Sequence, residues 1–113
     1  MIYKIEAVIQ PHKLETVRHA LADIGVDGMT VTEVRGHGRQ KGHKEVYRGR
    51  EYQVDLLPKV LLEMVVSEAR KDEIVRTLSA AARSGEIGDG KIFVERVLTA
   101  IRIRNDDRDE GAL

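Results

Sequence analysis

The chain has 113 residues, and its 19 lysines and arginines balance 19 aspartates and glutamates, so its formal net charge at pH 7 is zero. This length is typical of one domain, and zero net charge excludes steering of a polyanion by bulk charge. The sequence contains no cysteine, which excludes disulfides, thiolate metal sites and cysteine nucleophiles. No apolar run approaches the roughly 20 residues of a membrane helix, and residues 1–10 do not have the pattern of a signal peptide. We therefore expect one cytoplasmic domain over residues 1–113.

The first third of the chain predicts a strand, a helix and a second strand. Residues 3–10 alternate with the period of a half-buried strand, and Pro11 suits the first turn of a helix. Residues 29–34 are rich in β-branched side chains and predict the second strand. The helix between them ends at Gly25 and carries apolar residues at helical spacing: Leu14, Val17, Leu21 and Ile24.

The second half of the chain repeats this order. Residues 60–66 form the most apolar run and predict a central strand, and Ser67 can cap a second helix that ends at Gly85. Residues 91–97 predict a fourth strand. The order βαββαβ predicts an α+β, ferredoxin-like fold of two split βαβ units, with both helices on one face of an antiparallel sheet. One copy would leave the other face open, so we expect self-association. The second helix would face the core through Ile74, Leu78 and Ala81.

Residues 36–59 connect the second and third predicted strands without a sustained period of two or 3.6. A connection this long in a compact domain is usually functional or disordered. It is net positive, and it contains Tyr47 and Tyr52, two of the four aromatic residues in the chain. On composition alone, a solvated hairpin insertion and a functional loop both remain open.

Two segments combine glycine with basic residues, and a third carries two arginines. Residues 88–91, Gly-Asp-Gly-Lys, suit an anion, because glycines let backbone N–H groups approach it and the lysine adds a point charge. An ordinary turn is the alternative. Arg102 and Arg104 alternate within residues 100–104, where they can grip a phosphate chain or protect an edge strand by charge. Residues 36–42 alternate glycines with donors. Together the three segments favour a polyphosphate ligand.

Six segments then stand in a recognisable order: Gly28-Met-Thr-Val-Thr-Glu-Val34, Gly38-Arg-Gln-Lys-Gly-His43, Tyr47-Arg-Gly-Arg-Glu-Tyr52, Val54-Asp-Leu-Leu-Pro-Lys59, Gly85-Glu-Ile-Gly-Asp-Gly-Lys-Ile-Phe-Val94 and Ile101-Arg-Ile-Arg104. In this order they resemble the PII family of nitrogen-regulatory signal transduction proteins over essentially the whole chain. The resemblance implies a homotrimer of ferredoxin-like subunits, with nucleotide sites in the clefts between them. It also implies that residues 37–55 are the family's T-loop, the partner-binding element, and residues 105–113 read as a flexible acidic tail.

The resemblance also implies the ligands. Gln40 and Lys59 would bind 2-oxoglutarate, and Gln40 would hold Mg²⁺ together with ATP and the oxo-acid. Tyr52 matches the tyrosine that many bacterial members have uridylylated. Gln10 stands where the family commonly has lysine or arginine, which predicts weaker binding of the oxo-acid. ATP or ADP would contact Thr30, Gly36, Gly38, Arg39, Gly88, Asp89, Gly90 and Lys91, with Arg102 and Arg104 reaching its phosphates from the neighbouring subunit.

The family is regulatory, so no catalytic residue is expected. Its members regulate an ammonium transporter, an adenylyltransferase or a sensor kinase and are modified by a uridylyltransferase, so membrane contact is expected only through a transporter. An RNA-binding domain of this topology would stack bases on aromatic residues of its central strands, and residues 60–66 contain none. A small enzyme would need a nucleophile or an acid–base pair in a cleft. The four histidines are expected on the wet face of the first helix and in the loop, without a metal-ligand set: His12, His19, His37 and His43.

Overall fold

The computed structural model describes residues 1–37, 44–47, 50–53 and 56–113, with 44–47 and 50–53 described by their backbone alone. It confirms the α+β, ferredoxin-like fold. The antiparallel main sheet has the strand order β2-β5-β1-β6, and a separate antiparallel pair is formed by β3 and β4. The elements in chain order are β1 (Ile2–Ile9), α1 (Leu14–Asp23), β2 (Thr30–Gly36), β3 (Lys44–Tyr47), β4 (Arg50–Gln53), β5 (Leu57–Ser67), α2 (Glu68–Ala82) and β6 (Gly90–Val97).

The hydrophobic core lies between the main sheet and the two helices. Alternate residues of β1 and β5 are buried because successive side chains of a strand point to opposite faces. Each helix adds one apolar stripe at helical spacing. In α2, Ala82 is buried and the predicted Ala81 is half-buried and packed against the core. Neither helix of the described part of the chain is long and apolar enough to cross a bilayer. The largest fully buried side chains are Ile5, Ile9, Val17, Leu21, Leu62, Ile74 and Leu78.

The β5 strand begins at Leu57, three residues before the apolar run that predicted it. Pro58 makes this part of the strand hard to predict from the sequence, because proline lacks the N–H group that donates a hydrogen bond in a sheet. The structure accommodates it where β5 pairs with β2 only, since β1 ends at the pair Ile9–Val60. The consequence matters for function, because Lys59 becomes part of the sheet rather than of the connection.

The connection after β2 contains a regular element that its sequence pattern does not predict. Backbone pairs from Lys44–Gln53 to Tyr47–Arg50 join β3 and β4 into a hairpin. Tyr52 stands opposite Glu45 in this hairpin. A hairpin was one of the two alternatives that composition left open, and the described part of the connection contains one.

The segment after β6 also differs from its prediction. The alternation of residues 100–104 predicts a strand, but the structure has only one isolated bridge there, Ile101–Arg108, and a turn at residues 103–105. The prediction that Arg102 and Arg104 share one face of a strand is therefore wrong. Residues 105–113, predicted to be a flexible tail, fold back toward Ala100 and Arg102 and include a short 3-10 helix at Asp109–Ala112.

Candidate functional site

A cleft of about 620 Å³ lies where β2 ends and where β5 and β6 begin. One wall is the glycine loop, residues 84–90, which connects α2 to β6. The fold brings several residues together here that are far apart in sequence. Those predicted to bind a ligand and found in the walls are Gly36, Lys59, Gly88, Asp89, Gly90 and Lys91.

The side chain of Asp89 closes the glycine loop on itself. Its Oδ2 accepts hydrogen bonds from the backbone N–H groups of Ser84 and Gly85, both at 2.8 Å. Its Oδ1 accepts a hydrogen bond from the Ser84 hydroxyl. Hydrogen bonds to the Ser84 side chain and then to the two backbone N–H groups hold the pKa of the Asp89 carboxyl below its usual value, with a smaller contribution from the charge of Lys13. Asp89 therefore shapes the loop by binding three of the loop's own donors.

Gly90 fixes the end of this loop against β1. A Cβ atom at this position would lie 1.7 Å from the Val8 carbonyl oxygen, closer than any side chain can approach backbone. The φ of Gly90 is +103°, a conformation that glycine adopts readily and other residues avoid. With Gly90 in this position, the next residue, Lys91, pairs with Val8 in the sheet, and its side chain is exposed. The loop thus presents one lysine at a defined position in the cleft.

Lys59 supplies a second positive charge, from β5. The residue is buried, with 8% of its surface exposed, and its ammonium group donates a hydrogen bond to the Gly88 carbonyl oxygen at 3.0 Å. Burial lowers the pKa of Lys59, and the negative charge of Asp89 partly opposes that change. Lys59 therefore joins the central sheet to the glycine loop across the cleft.

Other predicted site residues lie elsewhere or outside the described residues. Thr30 begins β2, about 20 Å of extended strand from Gly36, and is not part of the cleft wall. Arg102 and Arg104 follow β6 and are not part of the wall either. Tyr52 is described by its backbone alone. Gly38, Arg39, Gln40 and His43 lie outside the described residues.

Sequence reasoning missed three residues that build the site. Ser84 provides two of the donors to Asp89, and its only signal is a serine beside a glycine, five residues before an aspartate. Ile87 and Phe93 give the cleft apolar walls and are 68% and 50% exposed. The sequence of a turn or a strand does not show which of its large apolar side chains will be exposed in the fold. In the cleft, Ile87 and Phe93 offer an apolar surface beside the charged groups.

The described part of the chain has no group of three or more His, Cys, Asp or Glu side chains that could hold a metal ion. His12, His19 and His37 are exposed, in agreement with the expected wet face and loop positions. The Mg²⁺ ligand expected from the resemblance, Gln40, lies outside the described residues.

We expect Gly90→Ala to destabilise the protein, because the new methyl group would clash with the Val8 carbonyl oxygen. The free energy of unfolding should fall by about 2 kcal/mol or more in urea denaturation. Gly28→Ala is the matched control, since a Cβ there would have no neighbour within 4 Å. Equal stability of the two variants would contradict the role assigned to Gly90.

We also expect the glycine loop to respond to acid through Asp89. The folded-state pKa of Asp89 lies below its ordinary value, so its stabilising effect is complete above the unfolded-state pKa and is lost as the pH falls through the folded-state pKa. The Gly85 amide proton, which is bonded to Asp89, should titrate in NMR with a midpoint below that of an ordinary aspartate, because its hydrogen bonds lower the pKa of Asp89. A midpoint at or above the ordinary aspartate value, or the same titration in Asp89→Asn, would contradict this assignment.

Comparisons with known proteins agree with the sequence and the fold. The family model described as nitrogen regulatory protein P-II matches residues 2–107. Over 110 residues the chain is 57% identical to nitrogen regulatory protein P-II of Haemophilus influenzae and 56% identical to nitrogen regulatory protein P-II 1 of Escherichia coli. Each match covers 97% of this chain and 98% of the relative.

Solved structures agree as well. The crystal structure of Arabidopsis thaliana PII bound to citrate matches with a TM-score of 0.80 and 38% sequence identity, over 99% of this chain and 92% of that chain. The family expected from the resemblance is confirmed. The chain belongs to the PII family of nitrogen regulatory proteins, which are regulatory signalling proteins.

Proposed function

We propose that this protein signals nitrogen, carbon and energy status by binding ATP or ADP and, with Mg-ATP, 2-oxoglutarate. Residues 37–55 would then transmit the bound state to cytoplasmic partner proteins. The observation that supports this most strongly is the cleft. Its walls contain the glycine loop that Asp89 closes, the exposed Lys91 and the buried Lys59. A site for an anionic metabolite needs this combination of fixed backbone and positive charge.

The glycine loop suits a phosphate chain. Gly88 and Gly90 both have φ near +100°, so a ligand can approach the backbone without meeting a side chain. Lys91 adds an exposed ammonium group beside them. A free carboxylate at Asp89 would repel phosphate, but its oxygens are bonded to Ser84 and Gly85. We therefore assign Asp89 to shaping the phosphate site, and the glycines and Lys91 to direct contact together with Gly36, Gly38 and Arg39. Thr30 lies outside this cleft wall, so it would contact a part of the nucleotide away from the phosphates.

The remaining phosphate contacts would come from a second subunit. Arg102 and Arg104 are absent from the cleft walls of their own chain, so a symmetric trimer is needed to bring a neighbour's arginines to the phosphates. The described part of the sheet exposes apolar side chains that association would cover, among them Val31, Phe93 and Val94. The proposed site is thus incomplete in one chain.

Lys59 is suited to a carboxylate ligand. It lies in the cleft wall beside Gly88, next to the proposed phosphate site. The Arabidopsis relative was crystallised bound to citrate, which like 2-oxoglutarate carries several carboxylate groups. We propose that Lys59 pairs with the distal carboxylate of 2-oxoglutarate, while Gln40 and the ATP phosphates hold Mg²⁺ at its other end.

The T-loop is the proposed output. It leaves the sheet at Gly36 and returns at Leu57, and both residues line the cleft. A ligand there contacts the base of the loop and can favour one loop conformation over another, which is the requirement for shifting their populations. Tyr52 would be the site of uridylylation. The proposed partners are an ammonium transporter, an adenylyltransferase, a sensor kinase and the uridylyltransferase itself.

We expect both ATP and ADP to bind to a trimeric protein, with Lys91 and Arg102 contributing to each. Charge-assisted contacts are typically worth about 1.5–3 kcal/mol, so Lys91→Ala and Arg102→Ala should each weaken ADP binding about tenfold or more in calorimetry. Arg76→Ala, an exposed arginine of α2 outside the cleft walls, is the matched control. Unchanged affinity in both test variants would refute the assignment.

We expect 2-oxoglutarate to bind only when Mg²⁺ and ATP are both present, because the metal joins the two ligands. Restoring a base by Gln10→Lys should raise its affinity about tenfold, as a charge-assisted contact would. Calorimetry with each component omitted in turn measures both effects. Equal binding of 2-oxoglutarate without ATP would rule out the metal bridge.

We expect Tyr52 to accept UMP from a bacterial PII uridylyltransferase in the presence of UTP, ATP and 2-oxoglutarate. Mass spectrometry should find the UMP increment on wild-type protein and on Tyr47→Phe, but not on Tyr52→Phe. Tyr47 is the matched control because it lies in β3 of the same hairpin. Absence of the increment on wild type, or its presence on Tyr52→Phe, would show that Tyr52 is not this switch.

A further inference from the structure

Arg102 is bound by the acidic tail of its own chain. Its Nη1 atom lies 3.1 Å from Oδ2 of Asp107, and its Nη2 donates a hydrogen bond to the Leu113 carbonyl oxygen at 3.1 Å. The arginine side chain is 32% exposed. Two donors of the guanidinium fork are therefore directed at two oxygen acceptors, the arrangement in which arginine also binds phosphate.

Backbone hydrogen bonds hold the tail in this position. The Arg102 N–H donates to the Asp107 carbonyl oxygen at 2.8 Å, and the Asp106 N–H donates to the Arg102 carbonyl oxygen at 2.8 Å. Further along, Asp109 closes a reciprocal pair with Ala100: its N–H donates to the Ala100 carbonyl oxygen and its Oδ1 accepts from the Ala100 N–H. The contact to Asp107 is thus part of a folded turn rather than a chance approach of two side chains.

We propose that Asp107 and the Leu113 carbonyl group are internal substitutes for phosphate oxygens, so that the tail competes with the nucleotide for Arg102. This inference rests on the proposed function, in which Arg102 binds the phosphates of a nucleotide. One guanidinium edge cannot bind both acceptor sets, so nucleotide binding requires that Arg102 leave the tail. Asp107 then sets the nucleotide affinity without contacting the ligand.

The expected effect is modest, because both partners of the ion pair are partly exposed to solvent. Ion pairs of this kind are weak, so the tail occupies Arg102 in only part of the molecules. The apparent affinity for the nucleotide is reduced in proportion to that part. Loss of the Asp107 charge should therefore tighten nucleotide binding about two- to fivefold. A weak competitor also suits a sensor, since a nucleotide can displace it.

The test compares two single-charge variants. Asp107→Asn removes the charge and keeps an acceptor for Arg102, and calorimetry should show ADP bound about two- to fivefold more tightly than by wild type. Asp106→Asn removes the same charge from the neighbouring residue, whose side chain has no hydrogen bond or ion pair within the described part of the chain. Its φ is +61°, a conformation that asparagine tolerates, so its ADP affinity should stay at the wild-type value.

Hydrogen exchange gives a second measurement on the wild-type trimer. The backbone N–H groups of Arg102 and Asp109 should be protected without ligand, because both are bonded within the turn, and should exchange faster when ADP is bound. Slower exchange or no change of these groups with ADP would overturn the proposal.

The outcomes separate this inference from the function on which it rests. Weaker ADP binding by Arg102→Ala, together with tighter binding by Asp107→Asn alone, supports both. If Arg102→Ala weakens binding but Asp107→Asn binds like wild type or more weakly, the competition is overturned and the phosphate role of Arg102 stands. Equal gains in both aspartate variants overturn it too, because bulk charge would explain them. Unchanged binding by Arg102→Ala removes the phosphate role, and with it the competition.

Discussion

The close approach of Gly90 to β1 is the constraint on which the rest of the site depends. Without a Cβ atom, the backbone of Gly90 lies against the Val8 carbonyl group, and the pairing of β1 with β6 begins there. This contact sets where the glycine loop ends and where Lys91 projects. The hydrogen bonds that Asp89 accepts from Ser84 then fix the other end of the loop. The proposed binding site is thus built from backbone geometry before any ligand arrives, which would lower the ordering cost of binding.

Lys59 would give the proposed site a means of coupling its two proposed ligands. Its ammonium group is bonded to the Gly88 carbonyl oxygen, so the residue proposed to bind the oxo-acid already contacts the loop proposed to bind phosphate. A carboxylate that attracted Lys59 would weaken the hydrogen bond from Lys59 to the Gly88 carbonyl oxygen. A nucleotide that moved Gly88 would in turn change the position of this hydrogen-bond acceptor for Lys59. Such coupling must be reciprocal in free energy. Gly36 and Leu57, the paired residues that flank the proposed T-loop, line the same cleft, so the loop would be well placed to respond.

Hydrophobic period predicted most of the fold, and six of the residues that the family resemblance implied as ligand contacts lie in the walls of the cleft. The failures have physical causes. The periods predicted β1 and α1 because each has one buried face. Pro58 concealed the start of β5, and with it the burial of Lys59. The hydrogen bonds from Ser84 to Asp89, and those that hold the tail against Arg102, join polar residues of irregular segments. Such segments have no periodic pattern in the sequence, so these contacts could not be predicted. The bounds of the β3–β4 hairpin could not be predicted, because residues 36–59 have no sustained period of two or 3.6 in the sequence.

In the proposed site, one subunit provides the glycine loop and Lys91 while its neighbour provides Arg102. Co-expression of Lys91→Ala and Arg102→Ala chains, followed by titration of the mixed trimers with ADP, tests this division. Random assembly of equal amounts should leave about one quarter of the clefts with both groups intact, since each cleft draws on two chains. We expect this fraction to bind ADP with wild-type affinity, although neither variant does so alone. No recovery of tight binding in the mixed trimers would contradict a site shared between subunits.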